Sequence, residues 1–491
     1  PGFSPKYKLN HKLFPYTSLG FIDAATGESE TNASVLARSI QLARCFRKLG
    51  AKPGDVLALG GKNHLDLHIP YYAAIMNGMP IAGVDPMFKK NEIRTLFKIC
   101  SPRVAFCQKE ILDTYNAVKE ELGLNTEVIC FDEGKYSLAS FIEKYDDKED
   151  QEEFLPVLVD QNKHYVWLIS TGGTTGVVKL AAFTHRSFLK KLEVPNGENK
   201  MGLNIAPVQW VSAFFSAISS PLLRLTKLQT SNPTTTEHII ELINQYKVST
   251  SLIKIWQFFV LNINLCNIYN NLFLQRRVRP NTPVVEMYGQ TENLGPIFIA
   301  APEGPIGNCG KTAPALPKIV DIETGKEITE PNVSGEAWTE GACFTEYYNN
   351  PEETAASFTE DGWYRTGDIL HRDENGYFFF VERLKMMIKY RSYHIIPPEI
   401  EAVIREHPGV HDVSITSVPN KDDGEHAVAC VMRSPGSTVT AEEIKDIVAN
   451  KLSDSQRLRG GVIFMDQLPM TSTGKIARGE LRKLVLTLKR E

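Results

Sequence analysis

Residues 165–179 read YVWLISTGGTTGVVK, an apolar run that passes directly into a loop rich in glycine and hydroxyl side chains. The apolar run at 165–169 predicts a buried strand. The loop after it contains three glycines and four hydroxyl side chains. Glycines allow backbone N–H groups to approach an anion closely, and hydroxyls add further donors. With Lys179 supplying a positive charge, the stretch predicts a phosphate-binding loop at the end of a strand.

This loop differs from the two commonest phosphate motifs. Lys179 does not directly follow Gly176 and no GK[ST] sequence occurs, so the loop is not of the Walker A type. It does not match a dinucleotide fingerprint either. Taken alone, the stretch leaves a second interpretation open, a flexible connector without a ligand, because loops rich in glycine and threonine also occur without function.

Upstream of the loop, helical and strand patterns alternate along the chain. Alternation of this kind predicts parallel strand pairing and a doubly wound α/β sheet. The predicted helices are 32–49, 71–77 and 92–98, and the predicted strands are 55–59, 80–84, 104–106 and 128–131. Gly50 directly follows the first helical pattern and is predicted to end it.

The pattern changes after about residue 383, where the chain becomes a mixture of short strands and helices. The predicted elements there are strands at 376–381, 413–418 and 428–432 and helices at 398–405 and 440–451. A unit of roughly 100 residues is large enough to be an independent domain. The sequence therefore predicts two domains, a large one over 1–383 and a small one over 384–491.

Composition excludes several classes of protein. The chain has 491 residues, too many for a single core. Its 54 basic and 58 acidic residues leave a net charge of −4, without the basic footprint expected for nucleic-acid binding. The eight cysteines form no CxxC pair, which argues against a zinc site or a disulfide framework. No apolar run approaches the roughly 18 residues of a membrane-spanning helix.

Four further motifs follow the loop in order: VVEMYGQTE at 284–292, WYRTGD at 363–368, VERLK at 381–385 and LPMTSTGK at 468–475. An aromatic residue at the end of a strand, such as Tyr288, can stack on a base, and a neighbouring carboxylate, such as Glu292, can hold Mg²⁺ against phosphate oxygens. An aspartate such as Asp368 can accept two hydrogen bonds at its carboxylate. Each motif alone is more often structural than functional.

Together and in this order, the five motifs resemble those of the adenylate-forming superfamily, and the nearest branch is that of acyl-CoA synthetases, 4-coumarate-CoA ligases and beetle luciferases. The resemblance covers essentially the whole chain. It implies an α/β fold with a large N-terminal domain of doubly wound mixed sheets and helices, plus a small, mobile α+β C-terminal domain. It also implies a two-step reaction, in which a carboxylate attacks ATP to give acyl-AMP and pyrophosphate, and coenzyme A then displaces AMP.

The same resemblance implies roles for individual residues. The implied ATP- and AMP-binding residues are Ser170, Thr171, Gly172, Gly173, Thr174, Thr175, Gly176, Lys179, Met287, Tyr288, Gly289, Thr291, Asp368 and Arg383. The implied catalytic residues are Lys475, Lys179 and Thr291, and the implied metal ligand is Glu292. The implied acid-binding residues are Trp210, Gly289 and Gln290, and those at the hinge and along the coenzyme A path are Lys385, Lys389 and Ser392. The expected cofactors are ATP, Mg²⁺ and coenzyme A.

Three departures from the family pattern bear on the second step and on the substrate. Ser392 replaces a glycine beside which the coenzyme A arm is expected to pass. Trp210 lies where luciferases carry a His-His-Gly-Phe element, which argues against a beetle-type luciferin pocket. The family's Gly-Gly-Ala/Ser substrate loop is not recognisable within 254–283, so the sequence does not identify the acid.

These observations leave three hypotheses for the function. The first is an acyl-CoA synthetase acting on a fatty or aryl acid. The second is a luciferase-type monooxygenase that adenylates luciferin and then admits O₂. The third is a nucleotide-binding scaffold without catalysis. The expected protein is a monomer or weak dimer that is peroxisomal or cytoplasmic and binds a small carboxylic acid.

Overall fold

The computed structural model describes residues 19–146, 148, 153–172, 178–191, 200–222, 225–233, 235–248, 250–251, 287–300, 304–305, 307–311, 317–341, 343–391, 393–470 and 476–491. Within these residues the protein is a mixed α/β structure with a large N-terminal part and a smaller C-terminal part. The predicted fold class is therefore confirmed.

The strands are numbered in chain order. They are β1 (Leu19–Asp23), β2 (Ser29–Thr31), β3 (Leu57–Gly60), β4 (Ile81–Val84), β5 (Val104–Cys107), β6 (Glu127–Cys130), β7 (Tyr165–Gly172), β8 (Val178–Thr184), β9 (Lys200–Leu203), β10 (Leu225–Gln229), β11 (Thr250–Ser251), β12 (Met287–Gln290), β13 (Gly295–Ile299), β14 (Asn308–Gly310), β15 (Lys318–Val320), β16 (Gly335–Thr339), β17 (Glu346–Tyr347), β18 (Tyr364–Arg372), β19 (Phe378–Arg383), β20 (Ile388–Tyr390), β21 (Tyr393–Ile395), β22 (Val410–Asn420), β23 (Gly424–Arg433) and β24 (Gly461–Phe464).

The α-helices lie between these strands. They are α1 (Asn32–Lys48), α2 (His68–Met76), α3 (Lys90–Cys100), α4 (Leu112–Glu121), α5 (Leu138–Tyr145), α6 (His185–Lys191), α7 (Val211–Leu222), α8 (Thr236–Gln245), α9 (Pro351–Ser357), α10 (Pro397–Arg405), α11 (Ala441–Lys451) and α12 (Arg478–Leu484).

Helix α1 shows how local chemistry sets the ends of an element. The hydroxyl of Thr31 accepts a hydrogen bond from the backbone N–H of Ser34, which satisfies one of the free donors at the start of the helix. Gly50 has a φ of 84° just beyond the last turn. Glycine takes up this left-handed conformation without steric strain, so it ends the helix where the sequence predicted.

The central sheet of the large part has seven strands in the order β17-β8-β7-β4-β3-β5-β6. Strands β6, β5, β3, β4 and β7 are parallel, as the alternation of strands and helices predicted. Strands β8 and β17 are antiparallel to their neighbours, so the sheet is mixed. The parallel strands β3, β4 and β5 are completely buried because helices cover both faces.

The predicted phosphate loop begins at the end of β7 and ends on β8, two strands that pair as an antiparallel hairpin. Strand β7 continues three residues beyond its predicted end, because its backbone stays paired with β8 as far as Gly172. Thr171 is paired with Lys179 across this hairpin. The loop therefore starts and ends on two hydrogen-bonded strands of the central sheet.

A buried chain of hydrogen bonds holds the central sheet to two helices. The indole N–H of Trp167 on β7 donates to the hydroxyl of Tyr71 on α2 at 2.8 Å. That hydroxyl in turn donates to the backbone carbonyl of Phe214 on α7 at 3.1 Å. A buried polar group without such a partner costs free energy, so this chain fixes how α2 and α7 lie against the sheet.

Among the described residues, the large part contains three further sheets. A five-stranded sheet has the order β11-β9-β10-β1-β2, and an antiparallel five-stranded sheet has the order β14-β19-β18-β16-β15. Strands β12 and β13 form a separate antiparallel pair. Phe298 on β13 stacks on Phe378 on β19 with ring centroids 4.7 Å apart, which packs this pair against the antiparallel sheet.

The C-terminal part has a sheet of its own, ordered β21-β20-β23-β22, with β24 added in parallel beside β23. Its two apolar clusters draw all their members from residues 388–485. Helix α11 begins with a capping box between Thr440 and Glu443, close to the predicted start at 440. This part therefore buries a core independently of the large part.

An ion cluster joins the two parts. Arg478 on α12 lies 2.9 Å from a carboxylate oxygen of Glu401 on α10 and 3.6 Å from one of Glu382 on β19. Both carboxylates are buried, and burial raises the pKa of Glu382. One arginine thus faces two acidic groups where β19 leads into the C-terminal part.

A buried lysine is the least expected feature of the large part. Lys227 on β10 is 1% exposed, and burial lowers the pKa of its ammonium from 10.5 to about 7. Its side chain lines a cavity of about 10 Å³, together with His68, Tyr71 and Asn204. Burial, and secondarily the charge of Lys227, lower the pKa of His68. Burial of this amine therefore lowers the stability of the folded protein, and it does so most when the amine is protonated.

We expect the Lys227→Met variant to be more stable than the native protein at neutral pH, and the difference to shrink as pH rises. The buried amine binds a proton only below about pH 7, whereas the unfolded chain binds it up to 10.5. Native stability should therefore fall as pH falls across this window. A gain on the order of 4 kcal/mol for the variant near pH 7 would show in urea denaturation.

The surface variant Lys163→Met is the matched control, because it removes a lysine that is exposed. Its stability should follow that of the native protein at every pH. Parallel stability curves for the native protein and Lys227→Met would contradict the expectation.

Candidate functional site

The carboxylate of Asp368 is the centre of the first cluster of predicted site residues. Asp368 is 2% exposed. Its Oδ2 accepts hydrogen bonds from the hydroxyl of Tyr288 at 2.8 Å and from the side-chain amide of Gln290 at 2.5 Å. Its Oδ1 lies 2.8 Å from Nε of Arg383. Four predicted site residues thus meet at one buried charge.

Strand pairing explains why these residues meet. Asp368 and Arg383 are direct partners across the β18–β19 ladder. Tyr288 and Gln290 come from β12, and the amide of Gln290 also donates to the backbone carbonyl of Thr366 at 2.8 Å. Gly289 lies between them, where a Cβ atom would come within 2.4 Å of the carbonyl oxygen of Gly295. Only glycine allows β12 to approach β13 this closely.

An aromatic surface lies beside the carboxylate. The ring of Tyr288 lies between those of Phe298 and Phe380, with centroids at 6.1 and 6.2 Å. Phe380 is 45% exposed, so one ring of this group faces outward. Burial raises the pKa of Tyr288, and the neighbouring Asp368 raises it further, so the phenol stays neutral. Neutral aromatic rings beside a hydrogen-bonding carboxylate can bind a heterocycle that carries hydroxyl groups.

A second cluster contains the predicted metal ligand and the phosphate-loop lysine. The hydroxyl of Tyr347 donates to Oε1 of Glu292 at 2.7 Å. The ammonium of Lys179 lies 4.8 Å from the centroid of the Tyr347 ring and forms an ion pair with Glu353. The hydrogen bond from Lys179 lowers the pKa of Glu353, whereas burial and then Glu292 raise that of Tyr347. Tyr347 therefore contacts both a cation and an anion.

The two clusters adjoin because Gln290, Thr291 and Glu292 are consecutive. Gln290 belongs to the first cluster and Glu292 to the second, while Thr291 begins the short 3₁₀ turn after β12. The hydroxyl of Tyr364 also donates to Oε1 of Gln290, at 3.2 Å. Gln290 of the first cluster and Glu292 of the second thus lie two residues apart where β12 ends.

The other predicted residues fall in three groups. Ser170, Thr171 and Gly172 end β7, and Met287 begins β12. Trp210 directly precedes α7, Lys385 lies in the 3₁₀ turn after Arg383, and Lys389 lies on β20. Gly173, Thr174, Thr175, Gly176, Ser392 and Lys475 lie outside the described residues. The roles of all these residues stay predictions.

Two residues of the site were missed by sequence reasoning. Phe380 lies inside a run of three phenylalanines, and the sequence does not tell which ring faces outward. Glu353 was missed because it reaches Lys179 only through the pairing of β17 with β8. A signal was available next to it, because residues 347–352, YYNNPE, form a further stretch that resembles the family's sequence pattern.

The side chains present fit a magnesium ion only with help from a ligand. Within the described ranges, no three His, Cys, Asp or Glu side chains are grouped to hold a metal ion. Glu292 supplies one carboxylate that is 7% exposed. Mg²⁺ is commonly bound by one or two carboxylates together with phosphate oxygens and water, so the residues fit an ion that arrives with a polyphosphate.

Among the helices that the structure describes, none is long and apolar enough to cross a membrane.

Family comparisons cover most of the chain. A model described as AMP-binding enzyme matches residues 17–253 and 271–349. A second, described as AMP-binding enzyme C-terminal domain, matches residues 399–475. The gap between 253 and 271 falls in the region where the substrate loop is not recognisable in the sequence.

Relatives of known activity align along almost the full length. The luciferin 4-monooxygenase of Photinus pyralis is 28% identical to this chain, covering 99% of this chain and 94% of the relative. The peroxisomal OPC-8:0-CoA ligase 1 of Arabidopsis thaliana is 26% identical, covering 95% of this chain and 90% of the relative. The similarity thus extends both to a protein named as a monooxygenase and to one named as a CoA ligase.

Solved structures match the fold. The ATP-bound MatB of Rhodopseudomonas palustris superposes with a TM-score of 0.81 at 21% identity, covering 96% of this chain and 98% of that one. The o-succinylbenzoate CoA synthetase MenE of Bacillus subtilis, in complex with its acyl-adenylate intermediate, gives a TM-score of 0.77 at 20% identity, covering 96% of both chains. At these identities the likeness establishes the fold.

We expect Asp368→Asn to lower the free energy of unfolding by about 1 to 3 kcal/mol. The amide loses the negative charge that pairs with Arg383, and its NH2 group must face either the donors Tyr288 and Gln290 or the guanidinium of Arg383. Urea denaturation measures the loss. The exposed Glu360→Gln removes the same charge and should leave stability unchanged. If Asp368→Asn unfolds at the same urea concentration as the native protein, the contacts of Asp368 with its neighbours do not contribute to stability and the expectation is wrong.

Proposed function

Because the chain belongs to the AMP-binding enzyme family, we propose that it is an ATP-dependent acid–thiol ligase. It adenylates a fatty or aryl carboxylic acid with release of pyrophosphate, and then transfers the acyl group from AMP to coenzyme A. The observation that carries the proposal is the meeting of Tyr288, Gln290 and Arg383 at the buried carboxylate of Asp368, with Gln290 two residues along the chain from Glu292 of the second cluster.

The first cluster is assigned to the nucleoside. Asp368 accepts hydrogen bonds from the ribose hydroxyls, and Arg383, whose side chain is partly exposed, moves aside or shares the carboxylate. Tyr288 and Phe380 provide ring surfaces for adenine. Met287 and Gly289 line the same strand. The buried charge needs a hydrogen-bonding partner in every state, so the exchange of Arg383 for ribose hydroxyls keeps it satisfied.

The second cluster is assigned to the phosphates. Hydrogen bonds to the phosphates come from the backbone N–H groups and hydroxyls of the loop. Its residues are Ser170, Thr171, Gly172, Gly173, Thr174, Thr175 and Gly176. Lys179 adds a point charge for the terminal phosphates, and Thr291 donates to the α-phosphate. Glu292, held by Tyr347, binds Mg²⁺. The ion supplies charge neutralisation and orientation for the phosphates when it is bound.

Lys475 is assigned to the transition state of adenylation. A cation beside the carboxylate oxygen and the α-phosphate stabilises the negative charge that develops as pyrophosphate leaves. We place the domain boundary at 383/384, with Lys385 as the hinge about which the small domain delivers Lys475. The MenE structure with bound acyl-adenylate supports a two-step reaction on this fold.

The acid is assigned to a pocket beside Trp210, Gly289 and Gln290. The large apolar ring of Trp210, just before α7, favours an aliphatic chain of medium to long length. The enzyme is proposed to be a monomer or weak dimer. A peroxisomal location is consistent with the name of the Arabidopsis relative, and a cytoplasmic one is the alternative.

A luciferase-type monooxygenase is the second candidate, favoured by the 28% identity to the Photinus enzyme over 99% of the chain. In that reaction the adenylated acid is oxidised by O₂. Trp210 argues against it, because a large apolar ring replaces the histidines of the luciferin pocket. A non-catalytic scaffold is disfavoured, since Lys179, Glu292, Asp368, Arg383 and Lys475 are all retained.

We expect acid-dependent exchange of pyrophosphate into ATP that falls about 100- to 1,000-fold in Lys475→Ala, because one transition-state cation is lost. Radiolabelled pyrophosphate and a panel of fatty and aryl acids provide the measurement. ATP binding should survive in the variant, since Lys475 acts on the transition state. Absence of exchange with every acid of the panel would refute the ligase assignment.

Coenzyme A should accelerate AMP release, and Ser392→Gly should increase that acceleration without changing pyrophosphate exchange. A smaller residue at 392 gives the pantetheine arm closer access to the backbone. AMP release with and without coenzyme A is the measurement, and light output with luciferin under O₂ tests the second candidate. Light emission without any effect of coenzyme A would favour the monooxygenase.

A further inference from the structure

The ion pair between Lys179 and Glu353 places a carboxylate where the proposed function requires phosphate. Lys179 lies on β8, one residue beyond Val178, where the loop returns to the sheet. Its side chain is 17% exposed and that of Glu353 is 41% exposed. The ammonium also lies over the ring of Tyr347. The proposed phosphate cation is therefore already paired with an acidic group of the chain itself.

The fold holds Glu353 in this position. Strand β17 pairs with β8, which brings the following helix α9 beside Lys179. The side chain of Asn350 caps α9 by accepting from the backbone N–H of Glu353 at 3.2 Å. The hydroxyl of Thr354 donates to the carbonyl of Asn350 and accepts from the N–H of Tyr347. These contacts fix the backbone at Glu353, so the carboxylate reaches Lys179 from a defined turn.

We propose that Glu353 is an internal counter-anion, which the terminal phosphates of ATP must displace from Lys179, and that it sets the affinity of the site for polyphosphate. This inference rests on the proposed function, because it takes Lys179 as the phosphate cation. It assigns to Glu353 a role in controlling nucleotide affinity.

The charges at the site explain the direction of the effect. Lysine is a compact point charge, and one ammonium can contact a carboxylate and a phosphate at once. The carboxylate would then lie close to the phosphate, and two anions at short range repel each other. The hydrogen bond from Lys179 holds the pKa of Glu353 below its usual value, so the carboxylate is charged at neutral pH. Glu353 thus pairs with the ammonium of Lys179 and also repels the incoming phosphate.

The alternative role for Glu353 is to hold Lys179 in place for the phosphate. The two roles predict opposite results. If Glu353 competes with phosphate, its neutralisation strengthens binding of ATP. If it orients Lys179, its neutralisation weakens binding. AMP lacks the terminal phosphates, so its binding separates this effect from changes elsewhere in the site.

The experiment compares Glu353→Gln with the native protein in equilibrium titrations of ATP, pyrophosphate and AMP, each with Mg²⁺. We expect ATP and pyrophosphate to bind about two- to fivefold more tightly to the variant, in the range of a partly exposed ion pair. AMP should bind equally to both proteins. The gain should shrink as salt is added, because screening weakens the competing charge.

Glu352→Gln is the matched control, since it removes the same charge from the adjacent, exposed position of α9. It should leave all three affinities unchanged. Glu353→Lys is a second variant, which should tighten ATP and pyrophosphate at least as much as Glu353→Gln. The two variants together separate a charge effect from a local distortion by either side chain.

The outcomes are distinguishable. Tighter ATP and pyrophosphate binding with unchanged AMP binding supports the inference. Equal or weaker binding of ATP and pyrophosphate by both Glu353 variants, with AMP still bound, overturns the inference and leaves the ligase assignment standing. A native protein that binds neither ATP nor AMP overturns both. An equal gain in Glu352→Gln would reduce the effect to general surface charge and would also overturn the inference.

Discussion

The buried carboxylate of Asp368 is the constraint on which the geometry of the site depends. A carboxylate that is 2% exposed must be surrounded by donors, because an unpaired buried charge is very costly. The donors come from β12 and β19, which are separate in sequence, and both must therefore lie against β18. Satisfying one charge thus places Tyr288, Gln290 and Arg383 in a common site.

Charge compensation is also the rule in the neighbouring cluster. Lys179 is paired with Glu353, and Glu292 accepts from the hydroxyl of Tyr347. Each of these charged groups at the proposed phosphate side therefore has a partner within the chain. A nucleotide entering such a site exchanges internal contacts for new ones, so its net affinity reflects a difference between two sets of interactions.

The features of this structure that could be predicted from the sequence are those that local residue patterns determine. The alternation of strands and helices predicted the parallel strands of the central sheet, and the motif order brought Tyr288, Asp368 and Arg383 into one hypothesis. Contacts between residues that are far apart in the sequence could not be predicted in this way. The contact of Glu353 with Lys179 spans 174 positions and depends on β17 joining β8. The outward-facing ring of Phe380 depends on the pleat of β19, which a run of three phenylalanines conceals. Lys475 and Ser392 are still known from sequence alone.

The position of Arg478 has a consequence for any rotation of the C-terminal part about the segment after β19. Arg478 contacts Glu401 within its own part and Glu382 across the junction. Rotation that separates it from Glu382 leaves a carboxylate whose pKa burial already raises. That group must then gain either a proton or a hydration shell. Reorientation of the two parts is thereby coupled to uptake of a proton or of water at Glu382, the residue next to Arg383 of the proposed nucleoside cluster, so the rate of the movement depends on how readily this group is protonated or hydrated.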